Sequence, residues 1–376
     1  MTSVEETLAE LVAIDSVSAR TNAEIMNYLS TRVERAGFRV RSFPYTDERG
    51  VEKVNMVAVV GPGHDADEVE LALVGHTDTV PYDANWTEAL RLTEREGRLY
   101  GRGACDTKGF IAAALTAIEN SDLQSLRRPL ALVFTADEEV GCLGAKRLAD
   151  EKVLSARYSI VGEPTSLQPM RAGKGYCLAE VTLRGREAHS AYPSLGASAV
   201  FRAARLVSRI EGISVKLQAQ QVAAFDPPYT TINVGLINGG SAKNIIAGEC
   251  SFTLEWRPVP GQAGRHVLDL LERAIEEERA VDADYDCAVK VIRLDDGMET
   301  AADSSLVRML EEATGKPAGT IAFGTEAPQM AELGAQAVVL GPGNIRVAHR
   351  TGEFVPVEEL RACVQVLSSA IRHFCL

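Results

Sequence analysis

Short apolar runs alternate with amphipathic stretches through the first half of this chain, and that alternation most constrains what it can fold into. The runs 54–60, 71–74, 130–134 and 159–161 read as buried strands, while 5–14, 22–36 and 110–120 carry helical spacing. Strands alternating with helices predict an α/β fold: a mainly parallel sheet with helices on both faces. The rhythm changes in the middle. A strand at 177–183, a helix at 197–210, strands at 231–237 and 250–256, a helix at 267–279 and a strand at 287–293 follow the β-α-β-β-α-β order of a ferredoxin-like unit. Segments 304–312, 337–340 and 357–373 then return to the first style. The expected organisation is an α/β domain built from 1–177 and 293–376, with an α+β domain at 178–292 inserted between them.

Composition excludes several classes of function. A chain of 376 residues accommodates two or three domains, and 46% hydrophobic residues are enough for a large core. No apolar run approaches the ~18 residues of a membrane helix. The opening MTSVEETLAELVAID is acidic and amphipathic, unlike a secretory signal, so a cytoplasmic location is expected. A net charge of −13 argues against nucleic acid as a partner. The seven cysteines are odd in number and form no CxxC pair, which argues against a disulfide framework and a thiolate zinc site.

Acidic residues and histidines recur where the predicted strands end. The run 71–74 leads into Gly75-His76-Thr77-Asp78, and 130–134 leads into Asp137-Glu138-Glu139. The run 159–161 leads into Gly162-Glu163-Pro164, and 337–340 precedes His349. A fifth segment, Gly101 to Gly109 with Asp106 inside it, lies just before a helix. It lacks the Ser/Thr after lysine that would complete a P-loop. Loops at the carboxyl ends of strands in an open α/β sheet converge on ligands. Two histidines and several carboxylates meeting there suit a two-metal hydrolytic site, in which two divalent ions are balanced by three carboxylates and a hydroxide. Carboxylate and imidazole together fit Zn²⁺, with Co²⁺ or Mn²⁺ as alternatives. Asp78, two residues from His76 in extended chain, is placed to accept the second ring N–H of His76. Adjacent Glu138 and Glu139 diverge, so one can ligate while the other acts as a base. His64, His266 and His373 have no such context and read as structural.

The motifs GHTDTVP (75–81), GRGACDTKG (101–109), ADEEVG (136–141), GEPT (162–165) and the late His349 resemble those of the co-catalytic zinc amidohydrolases and exopeptidases. Within that family, the stretches 161–175, 323–330 and 340–360 are most similar to the members that deacetylate N²-acetyl-L-ornithine. The resemblance implies that His76 and Glu163 hold one zinc, Glu139 and His349 hold the other, and Asp106 bridges them through a loop with a cis Asp106–Thr107 peptide. It implies Glu138 as general base and Asp78 as outer partner. From the inserted domain it implies His189 as oxyanion stabiliser, reaching the other subunit's site in dimeric relatives. It also implies Arg257 as clamp for the substrate α-carboxylate, with Asn244 nearby. Glu326, in GTEAP (324–328), would pair with the δ-ammonium of the substrate. The family pattern is departed from at Thr107 and at Ala191-Tyr192. The implied setting is arginine biosynthesis, with a homodimer formed through the inserted lid domain. The competing readings are N-acetylcitrulline or succinyl-diaminopimelate as substrate, a metal-binding scaffold without turnover, and a nucleotide-binding protein.

Overall fold

The computed structural model describes residues 2–63 and 67–376. His64 lies outside the described residues. The chain divides into two compact units. One comprises Met1–Arg171, Thr300–Gly319 and Thr325–Leu376, and the other Ala172–Glu299 with Thr320–Gly324. The second unit is longer than the expected 178–292: it also takes in 172–177 and 293–299, where the two-residue strand Met298–Glu299 pairs antiparallel with Gly173 and Ala172 at the end of the nine-stranded sheet.

The first unit is built on a sheet whose four central strands are Leu130–Thr135, Glu68–His76, Ser155–Val161 and Gln336–Val339, side by side and parallel. Antiparallel strands Arg39–Thr46 and Glu52–Val60 extend one edge. Each central strand is almost wholly buried, which explains its unbroken apolar run. The helix Lys108–Glu119 is apolar all round and buried from Lys108 to Ile118. It packs with the helices Val4–Ala13 and Val357–Cys375, and Ser305–Thr314 packs against the last of these. The helices Leu143–Asp150 and Ala327–Glu332 pack together as a separate group. Gly162 permits the closest approach of the central helix: a Cβ there would lie 2.2 Å from the Phe110 ring.

The second unit is a four-stranded antiparallel sheet in the spatial order Thr231–Gly239, Glu249–Arg257, Tyr176–Arg184, Asp286–Asp295. That is the ferredoxin-like order. Alternate residues of Tyr176–Arg184 and Glu249–Arg257 are buried. Together with apolar residues of the helices Ala199–Leu217 and Arg265–Val281 they form one core around Trp256 and Phe252.

Candidate metal centre

Four neighbouring parallel strands end at one place in the first unit, and each delivers an acidic or imidazole side chain there. His76 is the last residue of its strand and stands in register with Thr135. Glu138 and Glu139 follow Thr135 by three and four residues. Glu163 follows Val161 by two, and His349 lies ten beyond Val339. Asp106 approaches from the loop before the central helix. Its Asp106–Thr107 peptide is cis, and Thr107 Oγ1 donates to the Gly162 carbonyl at 2.9 Å, tying this loop to the strand end that carries Glu163.

Asp106 is the hinge of the geometry. Its Oδ1 lies 3.1 Å from His76 Nε2, and its Oδ2 lies 3.2 Å from His349 Nε2. His349 Nε2 is also 2.9 Å from Glu139 Oε2. Ligand atoms of His76, Asp106 and Glu139 lie within 4.8 Å of one another, as do those of His76, Glu138 and Glu163. These are groups able to hold a metal ion. His76 Nδ1 lies 3.0 Å from the Asp78 carbonyl oxygen and 3.6 Å from Asp78 Oδ1. A carbonyl only accepts, so Nδ1 carries a proton and Nε2 is the atom available for ligation. The Asp78 carboxylate is occupied on its other side. It accepts from Ser18 Oγ at 2.7 Å and from the backbone N–H groups of Glu138 at 3.1 Å and Glu139 at 3.3 Å. Asp78 therefore orients the Glu138-Glu139 loop as well as the imidazole.

The electrostatics fit a resident cation. Burial, added to by Glu139, Glu326 and Asp106, pushes the Glu138 acid up to about 8 against the pull of His76. Burial and the charges of Asp106 and Glu138 push Glu163 up well beyond the carboxylate range. Burial opposes a proton on His76, yet its bonds to Asp106 and Asp78 raise its pKa well above the ordinary value. Hydrogen bonds to Asp106 and Glu139 push His349 up to about 10. Asp106, though buried, is held below the carboxylate range by its bonds to both imidazoles, but a cluster that draws protons onto its glutamates and its imidazoles is short of positive charge, which is the condition a divalent ion relieves.

Several supporting groups escaped the sequence reading. Asp137 turns the chain with φ +59°, and its carboxylate is held by Lys53 Nζ at 2.9 Å and Tyr45 Oη at 2.8 Å. Lys53 also donates to the Ser18 and Arg20 carbonyls, both at 2.7 Å. Its signal was a lone cation beside the apolar run 54–60. Arg102 and Glu353 form a buried ion pair at 2.6 Å beside Asp106. Their signals were a charge between two glycines and an acid four residues after His349.

Glu326 is 1% exposed. It stands at the N-cap position of the helix Ala327–Glu332 without a side-chain capping bond, and its Oε1 has no hydrogen-bond partner among the described residues. Burial pushes its acid up to about 7. His189, Asn244 and Arg257 belong to the second unit. His189 is exposed and forms a bridge with Ile245, while Ser190 N–H donates to the Asn244 carbonyl, so His189 and Asn244 share one corner. His189 Nδ1 accepts the Ala191 N–H, which leaves Nε2 as the donor of the neutral ring. Arg257 ends its strand, paired with Glu255 at 2.9 Å and lying over the Tyr176 ring. His266 and His373 stand on the helices Arg265–Val281 and Val357–Cys375.

This fold and site define a class, and the chain belongs to it: residues 72–373 match peptidase family M20/M25/M40. Among individual relatives, the acetylornithine deacetylase of Myxococcus xanthus is 55% identical over 370 residues, covering 98% of this chain and 97% of that protein. A tripeptidase structure from Staphylococcus aureus is 26% identical, covers 97% of this chain and 96% of its own, and superposes with a TM-score of 0.75. An M20 family metallo-carboxypeptidase from Sulfolobus solfataricus shares the fold at 20% identity and a TM-score of 0.75, covering 100% of this chain and 99% of its own.

Proposed function

We infer that this chain hydrolyses the amide of N²-acetyl-L-ornithine to L-ornithine and acetate. The likeness to the Myxococcus xanthus deacetylase carries the substrate. The observation that carries the reaction type is Asp106, a buried carboxylate with one imidazole on each oxygen. His76 and Glu163 would hold one divalent cation, Glu139 and His349 another, with Asp106 shared. Zinc suits these donors, and so do cobalt and manganese. Such a pair, when bound, would supply Lewis acidity and lower the pKa of the attacking water toward neutrality.

The protein's own groups do the rest. Glu138 accepts the proton of the attacking water on its carboxylate. As the C–N bond breaks, it passes that proton to the departing α-nitrogen, while the water oxygen stays on the acetyl carbon. Asp78 holds His76 and the Glu138-Glu139 loop in place. His189 offers its Nε2 donor to the developing oxyanion. The planar fork of Arg257 receives the substrate α-carboxylate, with Asn244 near it. The orphaned Oε1 of Glu326 lacks a cation, and the δ-ammonium of ornithine supplies one.

We read the setting as cytoplasmic arginine biosynthesis. All seven cysteines are buried free thiols, which suits a reducing compartment. No helix among the described residues is long and apolar enough to cross a membrane. We further read the second unit as the lid and the dimer-forming element. Its strand Thr231–Gly239 lies at a sheet edge and exposes Leu236 and Ile237, and the adjoining helix exposes Phe201. A deacetylation panel tests the substrate, using zinc- and cobalt-loaded protein with acetylated ornithine, citrulline and methionine and with succinyl-diaminopimelate. Acetylornithine should give the highest kcat/KM. Preference for acetylcitrulline would move the assignment to that substrate, and metal uptake with no turnover would leave a scaffold.

A further inference from the structure

We propose that Glu353 is a positioning residue that locks the Asp106 loop to the His349 segment and so sets the geometry of the second cation's ligands. This rests on the two-cation reading above. Glu353 is 1% exposed, and every acceptor it carries is spent on one loop. Oε1 accepts the backbone N–H of Cys105 at 2.9 Å and of Asp106 at 3.0 Å. Oε2 accepts Arg102 Nη1 at 2.6 Å, and the main-chain carbonyl accepts the Gly101 N–H at 3.1 Å.

Two consecutive amides converging on one oxygen fix the backbone on both sides of the Cys105–Asp106 peptide. Arg102 is itself held, by the Pro81 carbonyl at 3.3 Å and over the Trp86 ring, so the carboxylate cannot follow the loop if the loop drifts. On the other side, Glu353 lies four residues from His349, and the next residues, Phe354–Pro356, pair antiparallel with Arg98–Tyr100. The same short segment therefore delivers an imidazole to Asp106 Oδ2 and grips the main chain of Asp106.

This matters most for His349. Its side chain is 51% exposed, so packing holds it less than it holds His76, at 1%. The separation of His349 Nε2 from Asp106 Oδ2 depends on how its segment is docked, and Glu353 is the side chain that docks it to the main chain of Asp106. His76 and Glu163 stand on other strand ends, so of the first cation's ligands only the shared Asp106 depends on Glu353, whereas the second cation's site depends on it through both Asp106 and His349.

The test is a calorimetric titration of metal-free protein with Mn²⁺, read together with the electron paramagnetic resonance of the loaded samples. Wild type is compared with Glu353→Gln and with the double variant Arg102→Met/Glu353→Gln, which removes the cation left unpaired by the single change. Circular dichroism shows which samples are folded. Wild type should take two ions and show a spin-coupled pair. Both variants should keep first-ion affinity within about twofold, bind the second ion at least tenfold more weakly and lose the coupled signal at equal loading. In activity, kcat should fall with KM little changed. Wild-type affinity for both ions in a folded variant overturns the role of Glu353 alone, as does equal loss of both ions. A wild type that takes fewer than two ions overturns the two-cation reading, and this inference with it.

Discussion

Asp137, in the left-handed region, turns the chain into Glu138 and Glu139, the carboxylates proposed as base and metal ligand. Glu138→Ala should therefore retain about two metal ions per chain by elemental analysis while kcat drops by roughly 10³-fold or more. Retained activity would remove it from the base role. His189→Ala should lower kcat more than it raises KM, and a change confined to KM would make His189 a binding residue. For Glu326→Gln the informative quantity is the ratio of kcat/KM on acetylornithine to that on acetylcitrulline. It should fall, because only the first substrate carries a cation, and an unchanged ratio would exclude Glu326 from reading charge. Most of these residues were visible in the sequence because a reactive side chain after an apolar run is conspicuous. Glu353 and Lys53 were not, because their partners are main-chain groups far away in sequence: Glu353 holds the amides of residues 105 and 106, and Lys53 the carbonyls of residues 18 and 20.

At the scale of elements, the central strands announced themselves because burial on both faces demands continuous apolar residues. The strand Arg39–Thr46 did not: none of its residues is fully buried, and its partner Glu52–Val60 begins with two charged residues. The central helix begins at Lys108, two residues before its apolar run. The buried lysine is admitted because its Nζ donates to the Ile14 carbonyl at 2.8 Å. The small sheet of Thr93–Arg95, Arg98–Tyr100 and Phe354–Pro356 carries no local signal, since its strands are three residues long and one comes from the far end of the chain. Helix and strand meet most tightly at Gly162, beside Glu163. Gly162→Ala forces a methyl into the Phe110 ring. Overpacking of this kind should cost about 1–3 kcal/mol of unfolding free energy in denaturant titration. An unchanged midpoint would show that the ring can yield.

For the whole molecule, the charge deficit at the centre links metal to stability. Without metal, Glu138 has a folded pKa of about 8 against an ordinary 4.5, so its contribution is complete below the lower value and lost as pH rises through the upper one. Glu163 shifts in the same direction, and His349, raised from 6.5 to about 10, loses its share over that higher window. Lys108, lowered to about 8 by burial, opposes this only above that pH. The unfolding temperature of chelator-treated protein should thus fall between pH 5 and 8, and the gap to zinc-loaded protein should widen. A constant gap would mean that protons do not stand in for the cations. Sedimentation should find a dimer that Leu236→Asp/Ile237→Asp disperses to monomers, since both exposed side chains lie on an edge strand of the second unit. The measurement that bears most directly on the central claim is anomalous scattering at the zinc edge from crystals of the zinc-loaded protein. Two peaks are expected, one between His76 and Glu163 and one between Glu139 and His349, with Asp106 touching both. A map with no zinc among these five side chains would contradict the account.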